Sequence, residues 1–388
     1  MEHVMPLGYL LSSTLIALAA VVALAALRRP RALADLSFRV GIVINELPFI
    51  VLFLLLASTA LAFAQGDLAG PVGWVPLVPA VVATAGLAVV VRRGLRTKPA
   101  VEHALADALG SGWRAAIDPG LSVRLRRRLP LAHILLRPFF AHRRDVERVA
   151  NLAYGDAGKR NLLDVYRHRS RPSGAPILIH LHGGGYFSGR KNSQSLPLIY
   201  RFASQGWVCI SANYRLRPAV EFPDHLVDLK KVIAWVREHA HEYGGDPSTV
   251  FVSGSSAGGH LASIAALTPN DPAFQPGFED ADTTVTAVIS LNGYYGTYYG
   301  QGLESSPLNY VKADAPPFFI AHGDLDTVTF VEGARVFAEK LRASSDNPVV
   351  YAELPGAQHA FDLFHSLRFE AVVDAAEAFA AWVRSRTR

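Results

Sequence analysis

Thr249-Val-Phe-Val-Ser-Gly-Ser-Ser-Ala-Gly-Gly-His-Leu-Ala-Ser263 decides how this chain folds. A β-rich apolar run passes through Gly254-Ser255-Ser256-Ala257-Gly258 into a segment of helical composition, so the middle serine falls in a sharp strand-to-helix turn. Such a turn forces the serine into a tight backbone conformation, and glycine on both sides removes side chains that would clash. Ser256 is therefore expected above a sheet, at a helix N-terminus whose dipole favours developing negative charge. That shape serves a nucleophilic serine, whereas Ser253 and Ser255 read as turn and cap residues.

From about Val146 onward, short β-rich runs alternate with longer amphipathic segments. This is the pattern of a mostly parallel sheet covered by helices, an α/β fold. Eight strands are expected, at 148–154, 162–166, 177–181, 207–213, 250–253, 285–291, 318–321 and 349–353. Helices are expected at 195–205, 226–243, 258–267, 332–344 and 366–384. Gly244-Gly-Asp-Pro247 closes the second helix, because Gly supplies its C-cap and Pro prevents continuation.

A serine hydroxyl needs a base, and the base needs an orienting carboxylate. After the strand at 318–321, the turn His322-Gly-Asp-Leu-Asp326 offers two carboxylates. Asp326 is the expected acid, with Asp324 and His322 as turn residues that satisfy local backbone groups. The strand at 349–353 runs into Pro355-Gly-Ala-Gln-His359, which delivers His359 as the base, while His365 reads as ordinary surface. Ser, Asp, His is the chain order of one family of catalytic triads and not of the others. His182-Gly183-Gly184-Gly185 follows the strand at 177–181. Its glycines let backbone N–H groups approach a tetrahedral oxyanion, and Gly184, Gly185 and Ala257 are the expected donors. The motif has no downstream Lys at the spacing of a phosphate-binding loop. Tyr186, Tyr294 and Tyr295 are expected to contact substrate, the last two from the loop Asn292-Gly-Tyr-Tyr-Gly-Thr-Tyr-Tyr-Gly300.

The first quarter of the chain is of a different kind. Half of the 388 residues are apolar, and the excess is concentrated there, which marks a membrane region joined to a globular one. Helices crossing a bilayer are expected at about 8–27, 40–64 and 75–91, each near the 20 residues that a span requires. Asn45 and Glu46 are expected near headgroups at the start of the second run. Arginines at 28, 29, 31 and 39, and Arg92, Arg93, Arg96 and Lys98, flank these runs, while the loop between the second and third carries only Asp67. Under the positive-inside rule the N-terminus lies outside and everything after 91 is cytoplasmic. The net charge of +5 comes largely from these arginines, so membrane lipids and not nucleic acid are the implied partner. Residues 99–145, where arginines interleave with apolar residues, read either as a helix in the headgroup plane or as a linker packed on the catalytic domain as a lid. The domains are thus 1–98, 99–145 and 146–388. Cys209 is the sole cysteine, which excludes an intrachain disulfide and a cysteine-bound metal cluster. It reads as a buried core thiol.

Residues 146–388 resemble α/β-hydrolases of the branch containing hormone-sensitive-lipase-like esterases, kynurenine formamidases and prenylcysteine methylesterases. The resemblance is carried by the His182 glycine motif, the Asn213-Tyr-Arg-Leu-Arg-Pro218 turn with Phe222-Pro223, Tyr243-Gly-Gly-Asp-Pro247, the Ser256 elbow and the two loops bearing Asp326 and His359. It implies an α/β-hydrolase fold with Ser256, Asp326 and His359 as triad and Gly184, Gly185 and Ala257 as oxyanion hole. The acid loop departs from the family's usual Asp-Pro-Leu-x-Asp form, which keeps Asp324 in view. Hydrolysis of a small or lipid-like carboxylic ester, without metal or organic cofactor, is the implied activity. An amidase or formamidase, an acyltransferase, or a silent binding protein are the alternatives.

Overall fold

The computed structural model describes residues 6–126 and 128–386; residues 1–5, Arg127 of the basic stretch, and 387–388 lie outside the described residues. The chain begins with helices α1 (Leu7–Leu24), α2 (Arg31–Glu46), α3 (Pro48–Ala64), α4 (Gly70–Trp74), α5 (Leu77–Leu95), α6 (Thr97–Leu109), α7 (Pro119–Ser122) and α8 (Leu131–Leu136). By length and composition, α1 and the helical stretch Gly70–Leu109 can each cross a membrane. The second run departs from the sequence expectation. It is not one helix over 40–64 but α2 and α3 meeting at 82°. Pro48 causes the break, because it lacks an N–H and disfavours helical geometry at the preceding residue; Leu47 has φ −122° and ψ 39°.

Small residues join α1 to α5. Ser13, Ala17 and Ala20 are buried on α1, opposite Ala83 and Gly86 on α5. A Cβ on Gly86 would lie 2.9 Å from that of Ala20, so glycine there permits the close backbone approach typical of small-residue helix pairs. The outer surfaces are apolar: Leu11, Leu15, Leu18, Phe53, Phe63, Val78 and Val81 are each more than half exposed.

The rest of the chain forms β1 (Val146–Ala153), β2 (Leu162–His168), β3 (Ala175–Leu181), α9 (Leu196–Ser204), β4 (Val208–Ala212), α10 (Asp224–His239), β5 (Gly245–Ser255), α11 (Ala257–Leu267), β6 (Ala287–Leu291), β7 (Phe318–Gly323), α12 (Val331–Ser344), β8 (Val349–Leu354) and α13 (Leu367–Arg384). The eight strands make one sheet in the order β1-β2-β4-β3-β5-β6-β7-β8. β2 runs antiparallel to β1 and β4, and the other pairings are parallel. Alternation along the strands builds two cores. Ile177, Ile179, Val252 and Ile320 pack with α10, α11 and α12, while Leu178, Cys209, Phe251 and Phe319 pack with α9 and α13. Burial on both faces explains the near-continuous apolar sequence of the central strands. The loops leaving the C-terminal ends of β3, β5, β6, β7 and β8 gather at one edge, where ligands of open α/β sheets bind.

Candidate active site

β5 ends directly against α11, and Ser256 between them has φ 54° and ψ −116°, a region that a residue with a side chain occupies only when its surroundings compel it. A Cβ on Gly254 would lie 2.2 Å from the carbonyl carbon of Gly258, and one on Gly258 would lie 2.2 Å from the oxygen of Leu181. The two glycines thus let helix and strands cross at contact distance.

The loop after β8 brings His359 Nε2 to 2.9 Å from Ser256 Oγ. The loop after β7 brings Asp326 Oδ2 to 2.7 Å from His359 Nδ1. With Nδ1 protonated and donating to the carboxylate, Nε2 is free to accept the serine proton. Asp326 is completely buried. Its Oδ1 accepts the N–H groups of Val328 and Thr329, both at 2.8 Å, and the Thr329 hydroxyl donates to Oδ2 at 3.0 Å. Burial alone would raise its pKa, but the facing imidazoles of His359 and His322 hold the carboxyl well below the usual carboxylate range. Asp324 turns elsewhere and accepts the N–H of Gly356 at 2.7 Å. His322 is a buried strand residue whose Nε2–H donates to the Thr329 carbonyl at 2.7 Å.

The glycine motif lies beside Ser256, since a Cβ on Gly183 would be 2.9 Å from that of Ser256. His182 stacks on Tyr214, and Tyr214 donates to the His182 carbonyl at 2.9 Å, which fixes the start of the loop. Among the described residues, the N–H groups of Gly184, Gly185 and Ala257 donate to no backbone acceptor. Gly184, Gly185, Ala257, Ser256 and His359 all line one cavity of about 650 Å³. Main-chain donors without partners beside a serine–histidine pair suit an oxyanion. No group of three His, Cys, Asp or Glu residues able to hold a metal occurs among the described residues.

Two of the expected substrate contacts, Tyr186 and Tyr294, line this cavity, joined by Tyr298 and Tyr299. Tyr186 donates from its hydroxyl to His260 Nδ1 at 2.6 Å, an imidazole that burial keeps neutral by lowering its pKa to about 4. Tyr295 is a correction. Its ring stacks on Phe337 and its hydroxyl lies 2.7 Å from Ser290 Oγ, because the residue next to Tyr294 on an extended loop points to the opposite side, here into the core. His365 is also corrected: it is buried and hydrogen-bonded to Glu370, not surface. Asn45 and Glu46, at the end of α2, are buried against the domain that carries the sheet. Arg368 Nη1 donates to the Asn45 carbonyl at 2.5 Å and to Glu46 Oε1 at 3.1 Å, and Ser366 donates to Glu46 Oε2 at 2.6 Å. A carboxylate that would be costly in an apolar run is matched by a buried guanidinium.

Several site residues escaped the sequence reading. Asp362, three residues after His359, is wholly buried. It accepts from Ser195 and Ser255 on Oδ2, and from Gln194 at 3.1 Å and Asn292 at 3.2 Å on Oδ1. Gln194 in turn accepts the Gly183 N–H at 2.7 Å. Asp362 therefore ties the His359 loop to the turn at Ser256 and to the glycine loop. Its position in His359-Ala-Phe-Asp362 was the only available signal. The roof of the cavity was also missed. Arg31 and Phe38 of α2 line it, and no described residue of 99–145 does, so of the two readings of that stretch the lid over this cavity is not borne out.

A serine hydrolase of the α/β-hydrolase fold is the class that this sheet and this arrangement of side chains define. A family model named BD-FAE matches residues 163–298. The chain is 37% identical over 408 residues to the Mycobacterium tuberculosis protein named "Probable carboxylic ester hydrolase LipM", covering 94% of this chain and 92% of that one. It is 37% identical over 320 residues to Esterase LipQ of the same organism, covering 75% and 76%. Among solved structures, the butyrate-bound esterase Est2 of Thermogutta terrifontis superposes with a TM-score of 0.53 at 27% identity, covering 61% of this chain and 93% of that one. The chain belongs to this family of α/β-hydrolase serine esterases, and it is a carboxylic ester hydrolase.

Proposed function

We propose that the enzyme cleaves its ester through an acyl-enzyme formed on Ser256, with His359 as proton carrier and Asp326 as its orienting partner. His359 Nε2 takes the proton as Ser256 Oγ attacks the carbonyl carbon, and the N–H groups of Gly184, Gly185 and Ala257 hold the oxyanion. Breaking the ester C–O bond releases the alcohol, which takes the proton from His359. Water, deprotonated by the same imidazole, then attacks the acyl carbon and frees the acid and the serine. Asp326 keeps the imidazole in the tautomer that can accept and stabilises its cationic form. The observation that carries this reading is the relay from Ser256 Oγ to His359 at 2.9 Å and on to Asp326 at 2.7 Å. A fluorophosphonate probe should label the wild-type protein and leave folded Ser256→Ala unlabelled; equal labelling of both would refute the assignment.

The same proposal makes the protein a multi-pass membrane enzyme with its N-terminus outside and its catalytic domain (146–388) in the cytoplasm. The outward apolar faces of α1, α3 and α5 and the position of the arginine clusters support it. Protease added to sealed spheroplasts should leave the catalytic domain intact until the membrane is opened; digestion beforehand would reverse the orientation. An active site beside a bilayer favours an amphiphilic, lipid-like ester over a freely soluble one.

A further inference from the structure

Helix α2 is clamped onto the catalytic loops along its whole length. Near its start, Arg28 pairs with Glu332 at 2.7 Å, and the Thr327 hydroxyl donates to the Ala34 carbonyl at 3.1 Å. At mid-length the Phe38 ring lies 5.8 Å from the ring of His359. One turn on, Gly41 rests over Gln358, where a Cβ would be 3.1 Å from Gln358 Cγ. Gln358 is itself a joint between the acid and base loops, accepting the N–H of Thr327 at 2.7 Å and of His359 at 2.9 Å. The buried pair of Glu46 with Arg368 closes the far end. The opposite face of α2 exposes Leu33, Leu36 and Val43, an apolar stripe of the kind that lies in a bilayer interface. A helix so held presents its cavity-facing side chains on a rigid support.

The charge that α2 brings to the cavity is unbalanced. Among the described side chains that line it, no carboxylate occurs, and Arg31 is the one permanently charged group. Arg31 stands solvent-exposed at the cavity mouth, one turn before Asp35 on the same helix. The remaining wall is mainly glycine, tyrosine and aliphatic, suited to an apolar chain. A neutral ester offers the guanidinium only uncharged carbonyl acceptors, whereas a carboxylate or phosphate meets it with stronger, charge-assisted, two-pronged hydrogen bonds. We propose that α2 is the selectivity element of this esterase and that its substrate is an amphiphilic ester bearing its own anionic group, which Arg31 pairs while the reacting carbonyl sits at Ser256. The proposal rests on the catalytic reading above.

The test uses full-length protein in neutral, non-ionic detergent with two esters of equal chain length, 4-nitrophenyl pentanoate and mono-4-nitrophenyl glutarate. The readout is the ratio of kcat/KM for the anionic ester over the neutral one. Arg31→Gln should lower that ratio about five- to twentyfold, Arg31→Glu further, and Arg31→Lys least, since a charge-assisted contact at a partly wetted mouth has that order of effect. Arg39→Gln, an exposed arginine of α2 outside the cavity, should leave the ratio unaltered. A ratio that stays within about twofold in both Arg31→Gln and Arg31→Glu overturns the proposal. So does a result in which Arg31→Gln weakens binding to vesicles containing phosphatidylglycerol while the ratio holds, because Arg31 would then serve bilayer headgroups. Failure of wild-type protein to cleave either ester, with no Ser256-dependent labelling, would instead defeat the catalytic reading.

Discussion

Replacing Asp362 by asparagine changes one atom in a fully enclosed site, and its effect can be worked out from the bonds present. The carboxylate accepts from four donors: two serine hydroxyls on Oδ2, and the amides of Gln194 and Asn292 on Oδ1. In Asp362→Asn one of those oxygens becomes an NH2 group, so two donors face a donor whichever way the amide lies. A buried donor without an acceptor costs about 1–3 kcal/mol. If the NH2 faces the serines, they can turn toward each other, since their oxygens are 3.1 Å apart, and the cost falls to about 2 kcal/mol; otherwise it approaches about 4 kcal/mol. Because the released groups are Ser255, next to the nucleophile, and Gln194, which holds the Gly183 N–H, part of that cost should appear in the transition state. The expected outcome is a lower Tm and a kcat reduced about ten- to a hundredfold per active site, equivalent to about 1.4–2.7 kcal/mol. Thermal unfolding in detergent, with kcat on a short chromogenic ester normalised to the fluorophosphonate-titrated site concentration, measures both. A normalised kcat within about twofold of wild type would refute the view that Asp362 positions the catalytic loops.

Asp326→Asn keeps an oxygen for the N–H groups of Val328 and Thr329 but presents NH2 to His359. The imidazole then favours the tautomer that cannot accept from Ser256, so kcat should fall about 10³–10⁴-fold with little change in KM; a loss confined to KM would contradict the assignment. Burial pushes Glu377 on α13 up to about 7 despite Arg201 at 2.9 Å. An unfolded glutamate titrates at about 4.3, so between those values the folded state holds a proton that the unfolded state has lost. Stability therefore falls as pH rises through that window. Glu377→Gln should flatten the difference in Tm between pH 5 and pH 8, and a slope equal to that of wild type would show that Glu377 does not titrate there.

The strands, the helices after 146 and the strand–turn–helix at Ser256 were legible in the sequence because their causes are local. Side-chain alternation builds two cores from one strand, and a serine between two glycines is a steric requirement satisfied within five residues. The spacing of loops carrying Asp326 and His359 was readable for the same reason, since each follows a strand end. The break at Pro48 was equally local and was hidden only by the continuous apolar composition around it. Which face Tyr295 would take, how Asp362 would be used, and that Arg31 and Phe38 would roof the cavity depend on partners distant in the chain. Glu46 and Arg368 are 322 residues apart, and neither carries any sign of the other in its own neighbourhood. A local pattern specifies which element forms. Only the packing of elements decides which buried polar groups meet, because a desolvated charge is tolerated only where the folded chain brings it a partner.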